Sequence, residues 1–439
     1  MRIGDERAAL SPRATPNPSC AEGQPPGAVV PRERCGGHPE SVEGFGITGT
    51  GSGGRDAACQ SFGSTVSTLR RILTTVGWGL GALLIGAFLI GYAAPFLSPT
   101  SFWWADLFAV GLPLMSVGVT GLAIGACGVG VYRRKWGRVV LGAVLLLLVV
   151  VRFGPRLAAW GPSAPAQEAL RVMTFNVPPM LGDAGHQRTP LVTLLAREAP
   201  DVLALQESRL RTAAGWQGGQ HASASIRPLL GSSLDYAPPE RLPAATVIQQ
   251  PVVGQLRLDS LSVHPLPPDG ETNARSRYTR TTFQWQGRSV VLYNVHLHTI
   301  GRARPWTLMP EQWTSFSRWK TFLRTYREGA LRRAQQARLI RRRVQRESHP
   351  VLVVGDFNST PHQWAYWHLA QGLQSAAARR VRGWAATFPA QRPIVQIDHV
   401  LASPAWQVTA ARIPANGAVG ISDHRPVVVD LTWKPRKPY

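Results

Sequence analysis

The stretch Val353-Val354-Gly355-Asp356-Phe357-Asn358-Ser359-Thr360-Pro361 decides the fold. It is an apolar strand that ends in an Asp and an Asn, which stand two residues apart and therefore on one face of the chain. An isolated pair of this kind is equally able to cap a turn. The pattern gains weight because polar residues follow other apolar strands in the same part of the chain.

Strands and helices alternate from Leu170 onward. The segments predicted as strands are Leu170–Val177, Val202–Gln206, Leu256–Val263, Thr281–Trp285, Ser289–Val295, Val351–Val354, Ile397–Leu401 and Val427–Thr432. Thr189–Glu198 is predicted to be a helix. In layered α/β proteins, strand ends can bring polar side chains together at one rim of a sheet. The sequence therefore predicts an α/β domain with a polar site at such a rim.

The composition shows that the chain is more than a single soluble domain. Its 439 residues include 48 Lys and Arg against 25 Asp and Glu, a formal charge of +23, and 44% are hydrophobic. The basic surplus fits nucleic-acid, phosphate or anionic-lipid partners, although charge alone does not choose among them. The cysteines, Cys20, Cys35, Cys59 and Cys127, match neither a disulfide framework nor a zinc site.

The chain divides by composition into four parts. Residues 1–66 are rich in Gly, Pro, Ser and charge and are predicted to be a disordered tail, with no signal peptide. Residues 67–160 are predicted to be a transmembrane region of three helices, on the apolar runs Ile72–Ala94, Phe102–Tyr132 and Val139–Val151. Residues 161–168 are a linker, and residues 169–435 form the soluble domain.

The third apolar run decides on which side of the membrane the soluble domain lies. It has only ~13 residues, a length at which a buried or interfacial segment competes with a span. Arg70-Arg71 and Arg133-Arg134-Lys135 lie on one side, and the loop Pro95–Ala105 has no Lys or Arg, so the basic side is cytoplasmic. With three spans, which we favour, the soluble domain is extracytoplasmic; with two spans it is cytoplasmic.

Six short motifs accompany the predicted strand ends, in the order Thr174-Phe175-Asn176-Val177, Leu205-Gln206-Glu207, Asn294-Val295-His296-Leu297, Gly355-Asp356-Phe357-Asn358, Ile397-Asp398-His399 and Ser422-Asp423-His424-Arg425-Pro426. In type, order and approximate spacing they resemble the endonuclease/exonuclease/phosphatase superfamily, the DNase I-like proteins, over about Leu170 to Trp433. The layout is similar to that of membrane-anchored bacterial members. The resemblance implies a four-layer α-β-β-α sandwich behind an N-terminal transmembrane helical region, with residues 169–435 as the catalytic domain of a metal-dependent phosphoric ester hydrolase.

Hydrolysis of a phosphoester needs a hard cation, a base and hydrogen-bond donors, because the ester's negative charge repels nucleophiles. The resemblance implies Mg²⁺ as the cofactor, with Mn²⁺ as an alternative. Glu207 is the implied main metal ligand, and Asn176 orients it or completes the coordination shell. Some nuclease members carry an acidic residue two positions after this Asn, where Pro178 stands here. This departure favours a single-metal site.

The resemblance assigns further polar residues to proton transfer and substrate binding. Asp356 accepts the proton of the attacking water, while Asn358 and His296 bind the phosphate and stabilise the transition-state charge. Asp398 orients the imidazole of His424, which donates to the phosphoryl group or to the leaving oxygen.

Three neighbouring residues complete the predicted surroundings of the site. Asp423 belongs to the catalytic set and is expected to aid the metal or the water. His298 lies on the same strand face as His296 and is expected to be structural rather than to line the pocket. His399 is expected to point away from the site into packing.

A basic amphipathic helix is predicted between His298 and Val351. Apolar residues recur there at three- and four-residue steps, namely Trp313, Phe316, Trp319, Leu323, Tyr326 and Ala330. Two interpretations remain open. The helix packs this stripe against the core, or it lies in the headgroup layer and presents lipid phosphates to the site.

Three functions follow from these observations. The first is a membrane-anchored, Mg²⁺-dependent phosphodiesterase or phosphatase of the cell membrane, acting outside the cytoplasm on phospholipid or lipid-linked (pyro)phosphate. The second is an anchored nuclease that binds nucleic acid through its positive charge. The third is a catalytically silent lipid- or partner-binding module. The predicted partners are the membrane bilayer and a phosphate-containing substrate, and no obligate protein partner is predicted.

Overall fold

The structure is a computed structural model that describes residues 53–157, 168–177, 185–211, 247–267, 276–300, 314–381, 383–415 and 421–435. Most of the predicted tail, most of the predicted linker, and Pro178 and Trp313 lie outside the described residues. Residues Leu69–Tyr439 form one compact unit.

The N-terminal part of the described chain is helical, with α1 at Gly53–Ala93, a 3₁₀ turn at Ala94–Phe96, α2 at Pro99–Phe102, α3 at Ala105–Tyr132 and α4 at Trp136–Leu157. Helix α1 begins at Gly53, inside the tail predicted to be disordered, because no proline interrupts the chain between that residue and the apolar run. Phe88, Leu112, Val119 and Leu145 bury their side chains together, so α1, α3 and α4 form a bundle.

Three helical segments of the described chain are long and apolar enough to cross a membrane. They are Thr68–Phe96, Ala105–Tyr132 and Trp136–Pro155. The third has 20 residues, which exceeds the apolar run that predicted it because the helix continues through Arg138 and Arg152. Long arginine side chains near the ends of a span can reach the headgroup layer.

Within the described residues, the strands of the α/β domain form two large sheets and a two-stranded ribbon. The first sheet has the order β12 Trp406–Arg412, β13 Val427–Trp433, β1 Leu170–Asn176, β2 Val202–Gln206 and β5 Val252–Gly254. The second has the order β10 Gln374–Ser375, β11 Asp398–Ala402, β9 Val351–Asp356, β8 Arg288–His296, β7 Arg277–Trp285 and β6 Leu258–Pro265. The ribbon pairs β3 Arg209–Arg211 with β4 Val247–Gln249.

Strand β1 occupies the centre of the first sheet and shows why the sheets pack face to face. It pairs antiparallel with β13 and parallel with β2. Alternate side chains point to opposite faces of a strand, so Leu170 and Val172 enter the core between the sheets, whereas Met173 and Phe175 enter the outer core.

Helices cover the outer faces of both sheets, with α5 at Gly185–Glu198, α6 at Phe316–Val344, α7 at Trp364–Ala370 and α8 at Ala376–Arg380. Leu191 and Leu194 of α5 pack on the first sheet. Ala337 and Ile340 of α6 pack on the second, together with α7. The predicted four-layer α-β-β-α sandwich is therefore confirmed.

Helix α6 buries one part of its apolar stripe, as the first interpretation predicted, and exposes another part. Phe322, Tyr326 and Ala330 are buried in one cluster, against which Trp103 and Leu107 of the bundle pack. Phe316, Trp319 and Leu323, in contrast, are exposed. The helix thus bridges the domain and the bundle and leaves a second apolar stripe uncovered.

Candidate active site

Strand β9 delivers the Asp356 carboxylate to the rim of the second sheet. Asp356 pairs with His296 of β8 on one side and with Asp398 of β11 on the other. The residue before it, Gly355, has a φ of 134°, and a Cβ at this position would collide with the carbonyl oxygen of Val295. Glycine therefore permits the close approach of β8 and β9 beside the acid.

Asn176 and Glu207 come from the first sheet, where β1 and β2 end side by side. The Asn176 Nδ2 group donates to Oε1 of Glu207 at 3.3 Å and to Oδ2 of Asp356 at 3.1 Å. Asn176 and Asp356 are buried, whereas the Glu207 side chain is 44% exposed. Glu207 has a φ of 54°, a costly conformation for a non-glycine residue that clusters at functional sites. The two sheets thus place an amide and two carboxylates at a shared rim.

His296 and Asn358 flank the Asp356 carboxylate. His296 Nε2 lies 3.6 Å from Oδ2 of Asp356 and 3.8 Å from Oε1 of Glu207. Asn358 donates from Nδ2 to the carbonyl oxygen of Leu297 at 3.0 Å and to Oδ2 of Asp356 at 3.3 Å. Its backbone N–H donates to Oδ1 of Asp356 at 2.8 Å. Asp356 therefore sits in a fixed ring of polar groups.

His424 and Asp398 form a buried pair next to Asp356. The Nδ1 atom of His424 lies 3.0 Å from Oδ2 and 3.2 Å from Oδ1 of Asp398, and it donates to this carboxylate. Its Nε2 atom lies 3.9 Å from Oδ2 of Asp356 and 3.9 Å from Oδ1 of Asp423. The Asp423 side chain is exposed. All the residues predicted for the site are thus brought together.

Burial and neighbouring charges set the protonation of the two central groups. Burial disfavours the imidazolium of His424, but the charge and hydrogen bond of Asp398, with the charges of Asp356 and Asp423, outweigh it and raise the pKa to about 10. Burial raises the pKa of Asp356 above its ordinary value, although the charge of His424 opposes the shift. His424 is therefore cationic at neutral pH, and Asp356 is a stronger base than a solvated carboxylate.

Two groups of side chains at the rim could hold a metal ion. The first is Glu207 with Asn176, whose hydrogen bonds both use Nδ2 and leave the Oδ1 oxygen for a cation. The second is Asp356, Asp398 and His424, whose ligand atoms all lie within 4.8 Å of one another. In the second group, Nδ1 of the imidazole is committed to a carboxylate. The first group offers oxygen donors alone, which a hard divalent cation prefers.

Sequence reasoning missed a buried hydrogen-bond network that joins the two sheets next to the site. Gln206 donates from Nε2 to Oγ1 of Thr174 at 2.9 Å and to Oδ1 of Asn294 at 2.6 Å. Asn294 in turn donates to the carbonyl oxygen of Leu205 at 2.8 Å. Gln206 and Asn294 stand one and two residues before predicted site residues, and this position is the signal that could have found them.

His399 packs behind the loop that follows Asp356. It is buried, its Nε2 donates to the carbonyl oxygen of Ser359 at 2.9 Å, and its ring lies 5.0 Å from that of Phe357. His298 is tied through its backbone N–H, which donates to Oε1 of Gln336 at 2.8 Å. His399 thus supports the Asp356 loop from the side of β11.

Comparisons with known proteins agree with this architecture. A model of the endonuclease/exonuclease/phosphatase family matches residues 180–424, more than half of the chain. A comparison with curated proteins finds no match.

The chain is also similar to several solved structures. An endonuclease/exonuclease/phosphatase from Beutenbergia cavernae DSM 12333 is 20% identical, with 61% of this chain and 72% of that chain covered and a TM-score of 0.41. The human Nocturnin catalytic domain with bound sulfate is 19% identical, with 62% and 97% covered and a TM-score of 0.40. The mannosyl-6-phosphatase Bt3783 of Bacteroides thetaiotaomicron VPI-5482 is 15% identical, with 60% and 100% covered and a TM-score of 0.41.

Proposed function

The chain belongs to the endonuclease/exonuclease/phosphatase family and is a metal-dependent phosphoester hydrolase, and we propose that it acts on phosphoesters at the surface of the membrane that anchors it. The substrate class is phospholipid or lipid-linked (pyro)phosphate. The observation that carries this proposal is the distribution of exposed apolar side chains on the catalytic domain.

Exposed large hydrophobic side chains are confined to two segments of the described catalytic domain. They are Phe316, Trp319 and Leu323 on α6, and Trp384 and Ile394 in the loop that follows α8. Helix α6 packs against Trp103 and Leu107 of the bundle, and α8 contacts α4. Exposed apolar groups beside membrane-spanning helices favour insertion into the bilayer interface.

The second apolar segment is also part of the rim of the active site. The ring of Phe388 lies 4.9 Å from that of His424, and the backbone N–H of Ala390 donates to the carbonyl oxygen of Asp423 at 2.7 Å. Trp384 and Ile394 belong to the same loop and are joined by a hydrogen bond from Trp384 Nε1. A substrate held in the bilayer would therefore meet this loop and the reacting groups together.

We assign Mg²⁺ to Glu207 and Asn176, because their oxygen donors fit a hard cation. A bound Mg²⁺ would neutralise negative charge on phosphate oxygens. Asp356 accepts a proton from the attacking water. His424, oriented by Asp398, donates a proton to the leaving oxygen.

Two of the remaining assigned residues bind the phosphoryl group, and the third contacts the attacking water. His296 Nε2 faces the same space as the two carboxylates and donates to a phosphate oxygen. Asn358 donates from Nδ2 both to the carbonyl oxygen of Leu297 and to Asp356. Substrate binding would replace the longer of these hydrogen bonds, the one to Asp356, with a hydrogen bond to a phosphate oxygen. Asp423, which is exposed, contacts the attacking water at the mouth of the site.

The test uses full-length protein in vesicles with Mg²⁺, and with EDTA as the metal-free control. Phospholipid, a polyprenyl pyrophosphate and plasmid DNA are supplied in parallel, and Glu207→Gln controls for contaminating hydrolases. We expect metal-dependent turnover of a lipid substrate. Cleavage of DNA without lipid turnover would overturn the proposal in favour of a nuclease, the function to which the net charge of +23 also points.

A second arm of this test isolates the contribution of the bilayer. Phe316→Ser should lower the rate on lipid in vesicles and leave the rate on a soluble phosphodiester unchanged, because it alters only the exposed stripe. Thr321→Ser, an exposed change on the same helix, is the matched control. Equal rates on vesicles for Phe316→Ser and the wild type would count against insertion of the stripe.

We propose that the catalytic domain is extracytoplasmic. The basic residues at 70–71 and 133–135 and three spans support this orientation. In a cysteine-depleted background, Lys437→Cys should react with a membrane-impermeant maleimide in intact cells. Labelling only after permeabilisation would place the domain in the cytoplasm.

A further inference from the structure

The bundle carries one acidic residue between Leu69 and Leu157, and this residue contacts the catalytic domain. Asp106 lies in the first turn of α3, and it is 3% exposed. Its Oδ1 atom accepts a hydrogen bond from the backbone N–H of Trp364 at 3.2 Å. A charged side chain in a membrane-spanning helix is costly unless it has partners. An acidic residue at this contact is therefore a candidate for a functional role.

Three consecutive residues of the catalytic domain are fastened to the bundle at this place. Gln363 donates from Nε2 to the carbonyl oxygen of Asp106 at 3.4 Å. His362 accepts at Nδ1 from Nε of Arg152 in α4 at 3.1 Å, and its ring lies 5.2 Å from that of Phe153. The contact therefore involves the second and third spans at once.

The fastened residues belong to the loop that carries the catalytic groups. The backbone N–H of Thr360 donates to Oε1 of Gln363 at 2.7 Å, and the backbone N–H of Gln363 donates to the carbonyl oxygen of Thr360 at 3.0 Å. Ser359, the next residue toward the site, is held by His399. Asn358 follows, in a left-handed conformation with a φ of 46°. Only a few residues separate the bundle from Asn358, and the Thr360–Gln363 hydrogen bonds and the contact from His399 to Ser359 hold the backbone between them.

We propose that Asp106 and Arg152 are positioning residues for the loop Asp356–Trp364, so that the membrane bundle is a structural part of the active site. The loop is clamped between two supports. His399 holds one side from β11, and Asp106 with Arg152 holds the other from the bundle. Both supports lie within a few residues of Asn358, so we expect each of them to contribute to its position. The effect on turnover rests on the proposed function, whereas the effect on the loop does not.

The test compares Asp106→Ala with Asp106→Asn in the full-length protein in nanodiscs. Asparagine keeps the Oδ1 acceptor for Trp364, whereas alanine removes it. Asp106→Asn should therefore keep the exchange rates and the turnover of the wild type. Hydrogen exchange of the backbone amides in 358–364, apart from Pro361, which has none, should be about tenfold faster in Asp106→Ala, the loss expected for one hydrogen bond. Ser116→Ala is the matched control, because Ser116 is a buried polar residue of the same helix that bonds within it.

Turnover of a chromogenic phosphodiester with Mg²⁺ is the second readout. Asp106→Ala should lower kcat about tenfold with KM nearly unchanged, since a displacement of ~1 Å in a catalytic group can cost up to ~10²-fold. Arg152→Met, which removes the donor to His362 and keeps a long apolar side chain, should have a smaller effect in the same direction. Arg152→Met also tests the proposal if Asp106→Ala fails to insert into the membrane.

Unchanged exchange at 358–364 in both Asp106→Ala and Arg152→Met would overturn the proposal. Faster exchange with an unchanged kcat would overturn the claim that the bundle contributes to catalysis. Loosening the loop would then have no effect on turnover. Exchange requires no turnover, so an inactive wild-type protein would count against the proposed function and leave the exchange result to decide the role of the bundle.

Discussion

The two ends of strand β1 hold acidic residues in opposite electrostatic settings. At its start, Arg171 donates from Nε to Oδ1 of Asp430 at 2.6 Å, and Arg412 donates to both Glu198 and Asp430. At its end, five residues later, Asn176 faces two carboxylates that have histidines and amides as partners, with no Lys or Arg in their described contacts.

The two settings correspond to two roles: the acids at the start of β1 stabilise the fold, and those at its end are assigned to catalysis. Carboxylates paired with guanidinium groups are satisfied, whereas the carboxylates at the end of β1 have no permanently charged partner, and burial raises the pKa of Asp356. The second arrangement lowers stability and leaves room for a metal and a proton. We therefore expect substitutions at the end of β1 to abolish activity and substitutions at its start to weaken the fold.

The largest expected effect is that of Glu207→Ala at the catalytic end. Hydrolysis should fall to background and Mg²⁺ affinity should drop, because the main charged ligand is removed. The melting temperature should stay within a few degrees of that of the wild type, since the side chain is partly exposed. Calorimetric titration with Mg²⁺ measures the affinity, and an unchanged value would remove Glu207 from this role.

Asp356→Asn and His424→Ala should each lower kcat by ~10² or more. Both remove proton handling while the rest of the site remains. Steady-state kinetics on any phosphodiester that the wild type cleaves provides the measurement, and circular dichroism checks the fold. His399→Ala is the contrasting variant, because this buried residue supports the loop and should affect stability more than rate. Near-normal turnover in Asp356→Asn would sink its assignment as the base.

Asp430→Ala tests the structural end of β1. The change leaves Arg171 and Arg412 without a shared acceptor, and it should lower the free energy of unfolding by about 2 kcal/mol. Activity per folded molecule should be retained. Urea titration followed by fluorescence measures the loss, with the exposed Asp259→Ala as control. A large fall in kcat without a fall in stability would contradict the separation of the two ends.

The smallest expected effect is on the pH dependence of stability, and it concerns Glu347, which pairs with Arg280. The hydrogen bond from Arg280 lowers the pKa of Glu347 below its ordinary value of 4.5. A group whose pKa is depressed by folding stabilises the protein above its unfolded pKa, and this contribution is lost as pH falls through the folded pKa. Glu347→Gln should therefore be less stable than the wild type at pH 7 and lose less stability below pH 4.5. Parallel pH dependences of the urea midpoints would contradict this.

The catalytic end of β1 could be predicted from the sequence because its residues follow local rules. Asn176, Glu207, His296 and Asp356 all stand at or just after strand ends, and the layered fold brings those ends to one rim. The fold class was equally accessible, since the strands alternate with helices in chain order.

The partners in the bundle contacts and in the cross-sheet network could not be predicted, because they are distant in the sequence, although the positions of Gln206 and Asn294 beside site residues were a signal for those two residues. Asp106 and Trp364 are 258 residues apart, and Gln206 and Asn294 are 88 apart. Asp106 was visible only as an interruption in an apolar run. The basic amphipathic helix predicted between His298 and Val351 is the continuous helix α6, Phe316–Val344.

The pairing of β1 with β13 also determines when the first sheet can form during synthesis. Among the described strands, the first of the catalytic domain pairs with the last, so the first sheet cannot close until residues near Trp433 have left the ribosome. The helical bundle comes earlier in the chain. If it spans a membrane as proposed, the bundle can be inserted by then, and the domain would complete its fold against the bundle residues that contact the loop Asp356–Trp364. Truncation of the chain before Val427, which removes β13, would leave the helical bundle attached to a domain that cannot close its first sheet.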